Sequence, residues 1–318
     1  MAHVFVTGAA GFIGSHTVDR LLKEGHRVTG ADNFRTGRRE NLTVALASPR
    51  FTLLELDMAR EGGLAAAVTV ARPDALIHLA ALVSVQESMR DPGLNFDLNV
   101  RATHLAAEAA RAAGTGRIVF ASSAAIYGDV ASLPVREEAA KLPISPYGAA
   151  KLASEALLLG HGVAFGLTVR CQRYFNVFGP RQDPASPYSG VISIFAALAA
   201  ADRQITIHGD GQQLRDFVYV GDVVAHLRAA MRLLAEAPGR HVLNVCTGRA
   251  TSVLELAQAL GRLHGHAPRI THGPARAGDI RRSLGDPART VATLGLRAGI
   301  ALEDGLARTL ASLEAAAA

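Results

Sequence analysis

A phenol and an ammonium stand four residues apart in Ser145-Pro146-Tyr147-Gly148-Ala149-Ala150-Lys151, where Ser-Pro marks the start of a helix. Positions i and i+4 share one helix face, so Tyr147 and Lys151 can reach a common point. A tyrosine titrates near pH 10, roughly. It serves as a base at neutrality only where a fixed positive charge favours the phenolate, and Lys151 is the candidate source of that charge. Upstream, Ile118-Val119-Phe120-Ala121-Ser122-Ser123 reads as a buried strand ending in a hydroxyl pair, which would let Ser123 orient a substrate hydroxyl toward the phenolate. Together these residues form a candidate Ser-Tyr-Lys proton relay. A capped helix, a buried tyrosine and a solvated lysine are the better account of the bare Tyr-x-x-x-Lys spacing, and it is the rest of the chain that shifts the reading.

The chain has 318 residues and a formal charge of +5, enough to bury a large core as one large domain or two modest ones. The charge comes from scattered arginines rather than a basic block. With no tryptophan and few other aromatics, a nucleic-acid partner is not expected; small acidic ligands such as nucleotide diphosphates suit the charge. Cys171 and Cys246 do not make a disulfide framework and point to a reducing compartment. The start of the chain lacks the pattern of a signal peptide, and the run from Ile194 to Ala201 is far shorter than the roughly 20 residues of a membrane span. A cytoplasmic protein without a membrane partner is expected. His264-Gly265-His266 has no further ligand at metal spacing, so no metal is expected.

The relay needs elements to carry it. An apolar run over residues 2–7 leads into Gly8-Ala9-Ala10-Gly11-Phe12-Ile13-Gly14 and then a helical pattern, the strand, glycine turn and helix of a phosphate cradle. Gly8 allows a sharp turn, Gly11 close approach of backbone N–H groups to a pyrophosphate, and Gly14 helix-to-sheet packing. A second strand ends at Asp32, near the spacing of about 20 residues expected for an acid that binds ribose hydroxyls. An acid there repels a 2′-phosphate and favours NAD over NADP, although Arg35, Arg38 and Arg39 follow closely. A third strand ends at Asp57-Met58, a seat for the adenine edge. The fourth covers Ala75 to Ala81, with His78 as a packed strand residue. A long alanine-rich helix is expected from about Asn95 to Ala113, and a fifth strand over 117–121. Gly8, Asp32, Asp57, Ala80 and Ser123 all fall at strand carboxyl ends, where parallel α/β sheets bind ligands.

The predicted fold class is α/β, a doubly wound parallel sheet of Rossmann type with a smaller C-terminal α/β substrate-binding domain. A sixth strand is read at 167–170. A helix over 191–201 and a strand over 204–208 form an insertion, after which Phe217–Val220, a helix over 222–235 and a strand over 242–245 return to the core. The expected division is 1–173 with 215–246 for the dinucleotide and 174–214 with 247–318 for the substrate.

In this order the motifs resemble the extended short-chain dehydrogenase/reductases, and within them the UDP-sugar 4-epimerases. The resemblance rests on Thr7 to Gly14, Asp32-Asn33, His78 to Ala81, Ser122 to Gly128, Tyr147 to Lys151 and Arg173 to Pro180. It continues through Gly209-Asp210-Gly211, Arg215 to Val220 and Arg276-Ala277-Gly278-Asp279. It implies Tyr147 as base, Ser123 as its hydrogen-bonding partner, and Lys151 lowering the tyrosine pKa while holding the nicotinamide ribose of a bound NAD. Phe12 and Ile13 would sit under the pyrophosphate, with Asn33, Leu79, Ala80, Ala81 and Asn99 also lining the cofactor. Asn176, Arg215 and Arg276 would hold the diphosphate of a UDP-sugar, which suits the forked charge of arginine; Ser84, Val191, Thr206, Asp279 and Ser283 would complete the substrate pocket.

Three further positions qualify the resemblance. Ala124 and Ala125 stand where dehydratases of this family carry an Asp-Glu pair, and neither can move a proton. Many glucose-type members have a lysine where this chain has Val83. Ser283 aligns with a residue against the sugar's 2-substituent, and a small residue there implies room for N-acetylated sugars. A non-catalytic NAD sensor would need the glycines but not the Tyr-Lys pair. A homodimer is expected through the helices around 95–113 and 147–161, both rich in small apolar residues.

Overall fold

Apolar runs bounded by turn residues form the strands. The computed structural model describes residues 1–183, 190–236, 239–265, 267–275 and 280–317. In chain order the strands are β1 (His3–Thr7), β2 (Arg27–Asp32), β3 (Phe51–Glu55), β4 (Ala75–His78), β5 (Arg117–Ser123), β6 (Thr168–Tyr174) and β7 (Asn176–Phe178). There follow β8 (Ile205–His208), β9 (Leu214–Arg215), β10 (Phe217–Tyr219), β11 (Arg240–Val245), β12 (Thr251–Ser252) and β13 (Ile270–Gly273). A seven-stranded sheet has the order β11-β6-β5-β4-β1-β2-β3. Strand β1 pairs in parallel with β2 and β4, as do β2 with β3 and β4 with β5. This is the doubly wound Rossmann arrangement, with its switch point between β1 and β4. Val4, Phe5, Val6, Leu76, Ile77, Ile118 and Val119 are buried on both faces of the sheet, which explains their unbroken apolar runs.

The chain forms two compact units. The first holds Met1–Ile126, Ser145–Arg173 and Val224–Leu243; the second holds Tyr127–Ile144, Tyr174–Val223 and Asn244–Ala318. In the second unit three small sheets pair β7 with β10, β9 with β12 and β8 with β13. The segment after Ile126 is tied into that unit by the Tyr127 hydroxyl, which donates to Asn244 Oδ1 at 2.6 Å, and by Val135 N, which donates to Leu284 O at 2.8 Å.

Several elements differ from the sequence expectation. Strand β6 extends to Tyr174 rather than ending at Arg170. Its polar residues broke the apolar run in sequence but find buried partners: Gln172 Nε2 donates to His226 O at 2.9 Å. Phe217–Tyr219 pairs with β7 and does not enter the large sheet. The helix expected from Asn95 to Ala113 is three pieces, a short turn over Pro92–Asn95, a π-helical stretch over Phe96–Arg101 and an α-helix over Ala102–Ala112. Within the π-helical stretch the carbonyl of Asn99 also accepts from the hydroxyls of Thr103 and Ser154, at 2.6 and 3.1 Å.

Candidate active site

The Pro146–Phe165 helix begins where the sequence predicts. Ser145 caps it by accepting from Gly148 N, and Pro146 fills the first turn, where a missing N–H costs nothing. A further bond, from Tyr147 N to Ser88 Oγ at 3.1 Å, fixes the entry of the chain. Ser88 lies on a short helix, Val85–Arg90, that the sequence did not reveal; its cap is Ser84, whose hydroxyl accepts from Glu87 N at 3.0 Å. Buried Ser84 is therefore committed to a cap.

Burial raises the Tyr147 phenol pKa, and the Ser123 hydroxyl opposes that rise. Lys151 is buried. Its Nζ donates to Ala121 O at 2.9 Å and lies 4.9 Å from the centroid of Phe120. Burial pulls its pKa down to about 7, because a low-dielectric surrounding disfavours the ammonium. In this geometry the amine of Lys151, one turn along the helix from Tyr147, is held on the Ala121 carbonyl. His78 is a packed strand residue, with Thr7 Oγ1 2.8 Å from Nδ1 and Thr103 Oγ1 3.2 Å from Nε2. Burial, with Lys151 nearby, lowers its pKa to about 3.

The glycine turn has the shape that a dinucleotide needs. Gly8 has φ +69°, and a Cβ there would stand 2.8 Å from Ala80 N. At Gly14 a Cβ would stand 1.9 Å from Gly8 O, so no larger residue fits without moving the turn. Gly11 caps the Phe12–Lys23 helix, whose free N–H groups and dipole favour an anion. Phe12 and Ile13 open that helix, half-buried.

Asp32 ends β2 with its carboxylate held by Ala10 N at 2.9 Å and Phe34 N at 2.8 Å. Burial raises its pKa, and these backbone donors oppose the rise. Gly37, which the sequence did not single out, packs so closely that a Cβ would stand 2.8 Å from Asp32 Oδ1. Arg35 is paired with Glu87 at 2.6 Å. Asn33 is exposed, its side chain accepting from Arg35 N. Asp57 accepts from Ala59 N at 3.0 Å, and Met58 is buried. Leu79 and Ala80 leave β4 with both amides on Thr7 Oγ1 at 3.2 Å, and Ala81 follows half-buried. Asn99 Nδ2 donates to Leu82 O at 3.0 Å and Asn95 Oδ1 at 2.9 Å, whereas its buried Oδ1 has no partner. A bound group with a donor would satisfy that oxygen. The glycine cradle, the held acid and this oxygen fit NAD.

Of the expected substrate residues, Ser84 and Ser123 lie in the first unit and Asn176, Val191, Thr206, Arg215 and Ser283 in the second. Arg215 on β9 is half-buried, with a guanidinium nitrogen donating to Leu214 O at 2.8 Å. Ser283 N donates to the same Leu214 O at 3.0 Å, so Ser283 stands beside the strand that carries Arg215. Exposed Asn176 is tied to this region by its N–H on Asp216 O at 3.0 Å. Val191 opens the Val191–Ala200 helix and Thr206 is exposed on β8; Arg276 and Asp279 lie outside the described residues.

Sequence reasoning passed over Asp216, a fully buried carboxylate. It accepts from Thr247 N, Thr247 Oγ1 and Gly248 N at 2.8, 2.7 and 2.9 Å, and so braces the strand of Arg215 against the following turn. Its position between Arg215 and an apolar strand was the available signal.

The description "NAD dependent epimerase/dehydratase family" matches residues 4–246. This chain belongs to that family, and its cofactor is NAD. It is 40% identical over 306 residues to the UDP-glucose 4-epimerase of Mycolicibacterium smegmatis, covering 96% of each chain. Its structure is similar to that of the UDP-glucose 4-epimerase of Thermotoga maritima with UDP-glucose, with TM-score 0.92, 36% identity and 99% and 100% of the two chains covered. It is also similar to the UDP-N-acetylglucosamine 4-epimerase of Methanobrevibacter ruminantium in complex with UDP-N-acetylmuramic acid. That comparison gives a TM-score of 0.92 and 32% identity over 99% of each chain. Among the described residues no helix is long and apolar enough to cross a membrane.

Proposed function

We propose that this chain is a UDP-sugar 4-epimerase interconverting UDP-glucose and UDP-galactose, and that it also accepts the pair UDP-GlcNAc and UDP-GalNAc. The observation that carries the reading is Tyr147 with Lys151 one turn further on the same helix, the lysine held on Ala121 O of the strand that ends in Ser123. Likeness to enzymes named for both sugar types supports it.

In this reading Gly8, Gly11 and Gly14 cradle the NAD pyrophosphate, Asp32 holds the adenosine ribose, and Lys151 holds the nicotinamide ribose. NAD held by these residues would supply the hydride acceptor and donor needed at the sugar C4. Tyr147 takes the proton of the sugar 4-hydroxyl and gives it back, acting as general base and then general acid. Ser123 holds the phenolic oxygen and orients the hydroxyl. Residues 1–173 with 215–246 serve the cofactor, and 174–214 with 247–318 the sugar nucleotide. Arg215, Arg276 and Asn176 hold the diphosphate. Ala124 and Ala125, both half-buried beyond β5, carry no group able to drive elimination, which favours epimerisation over dehydration.

The test is incubation of purified protein with each of the four UDP-sugars, without added NAD, followed by separation of products. Interconversion within each pair supports the reading; release of a dehydrated or decarboxylated sugar, or no turnover of any of the four, overturns it.

A further inference from the structure

Tyr147, Lys151 and Glu155 follow one another at i, i+4 and i+8 on the Pro146–Phe165 helix, so they form one stripe along it. Each member of the stripe meets a different residue at the end of β5. The Ser123 hydroxyl acts on the Tyr147 phenol, opposing the rise that burial gives its pKa. Lys151 Nζ donates to Ala121 O at 2.9 Å. Ser122 Oγ donates to Glu155 Oε2 at 2.9 Å.

Glu155 is held from a second strand as well. Arg173 on β6 donates from Nε to Glu155 Oε2 at 3.1 Å and from Nη2 to Oε1. Ser122, Glu155 and Arg173 are all buried, at 3%, 3% and 2% exposure. A guanidinium forked onto a carboxylate fixes the plane of both groups. When buried, the pair resists separation, because either partner alone would be an uncompensated charge. The bond from Ser122 joins this rigid pair to the strand that also carries Ser123. The helix therefore cannot slide or roll along β5 without breaking the buried pair.

We infer that Glu155 and Arg173, acting through Ser122, are positioning residues that set the register of the catalytic helix on β5 and hence the placement of Tyr147 relative to Ser123. None of the three is assigned contact with substrate or cofactor. The inference rests on Tyr147 being the base, as proposed above.

A consequence for pH dependence follows. A hydroxyl donor near the phenolic oxygen favours the phenolate, so a displacement that moves Tyr147 away from Ser123 raises the tyrosine pKa. Activity that needs phenolate then begins at higher pH. A tyrosine that titrates about one pH unit higher holds about tenfold less phenolate at any pH below its pKa. The other titratable and charged groups around the stripe are Lys151 on the same helix, His78 on β4, and Cys171 and Arg173 on β6. Burial holds the Cys171 thiol up, with Glu155 adding to the effect and Arg173 opposing it.

Glu155→Gln and Ser122→Ala test this, each assayed for kcat and KM across pH beside wild type, with melting temperature and bound NAD measured on the same samples. Tyr147→Phe serves as control. Both variants are expected to keep NAD and a KM within about twofold. Glu155→Gln should lose about tenfold in kcat at pH 7, and the acid limb of its kcat profile should move up by about one pH unit; Ser122→Ala should move the same way by less. Should Glu155→Gln fail to fold, Ser122→Ala still decides, since it removes a single hydroxyl. Folded variants whose acid limb matches wild type overturn the inference, even if melting temperature falls. If Tyr147→Phe is inactive and the limb does not move, only the positioning role fails; if Tyr147→Phe turns over normally, the catalytic reading fails first.

Discussion

Lys151 lies one turn beyond Tyr147 on the same helix face, yet its ammonium donates to Ala121 O at 2.9 Å, and the group that opposes the raised phenol pKa is Ser123. Part of the relay is therefore assembled by the fold itself.

The first prediction concerns the lysine. With a pKa near 7 in the folded protein against about 10.4 in an unfolded chain, the folded state binds fewer protons between those values. Stability of nucleotide-stripped protein should then rise with pH from about 7 to about 10, and the penalty should be fully present below 7. Lys151→Met removes the penalty. It should be more stable than wild type at pH 6 by an amount of order a few kcal/mol, with the difference closing by about pH 10. Denaturant melts across pH would show it, and a constant difference would contradict a neutralised lysine.

Cofactor retention should depend on Gly14. A Cβ there would lie 1.9 Å from Gly8 O, so Gly14→Ala must displace the turn or the helix. We expect most of the bound NAD to be lost on purification, read by ultraviolet absorbance and chromatography of the released nucleotide. Full NAD content in that variant would contradict the cradle.

Substrate choice should depend on Ser283. Ser283→Tyr fills the space assigned to an acetamido group, and overpacking costs roughly 1–3 kcal/mol, a factor of about 10 to 100. The kcat/KM for UDP-GlcNAc should fall by that factor while UDP-glucose is largely unaffected. Equal loss on both would place the gate elsewhere.

Assembly should involve the outer face of the catalytic helix, where Ala149, Ala153, Ala156, Gly160 and Val163 are exposed. Two such faces from two copies can approach closely. Light scattering should give a dimer for wild type and a monomer for Ala156→Arg. A monomeric wild type would remove the case for this interface.

The first unit was legible because its strands are apolar runs that end in chemically distinctive residues. Gly8, Asp32, Asp57 and Ser123 mark those ends, and a parallel sheet gathers its carboxyl ends on one side. Strand β6 was read short because Gln172 and Arg173 look like surface residues until His226 and Glu155 are placed against them. The π turn around Asn99 adds one residue to a helix and leaves no local pattern in the sequence. The Val85–Arg90 helix is too short for an apolar period, and only its Ser84 cap signals it. In the second unit, strands such as β9 and β12 are two residues long, below what alternation can reveal; Asp216 is recognisable as a brace only once its four-donor shell is seen.

The most direct test follows one hydrogen. UDP-galactose labelled with deuterium at C4 is incubated with the purified protein and no added NAD, and the product is analysed by mass spectrometry beside a Tyr147→Phe control. The account predicts UDP-glucose that keeps the deuterium, because hydride leaves C4 and returns to the same carbon, and a loss of about 10²–10⁴-fold in rate for Tyr147→Phe. Product in which the label has been replaced by solvent hydrogen, or a Tyr147→Phe variant as fast as wild type, would contradict it.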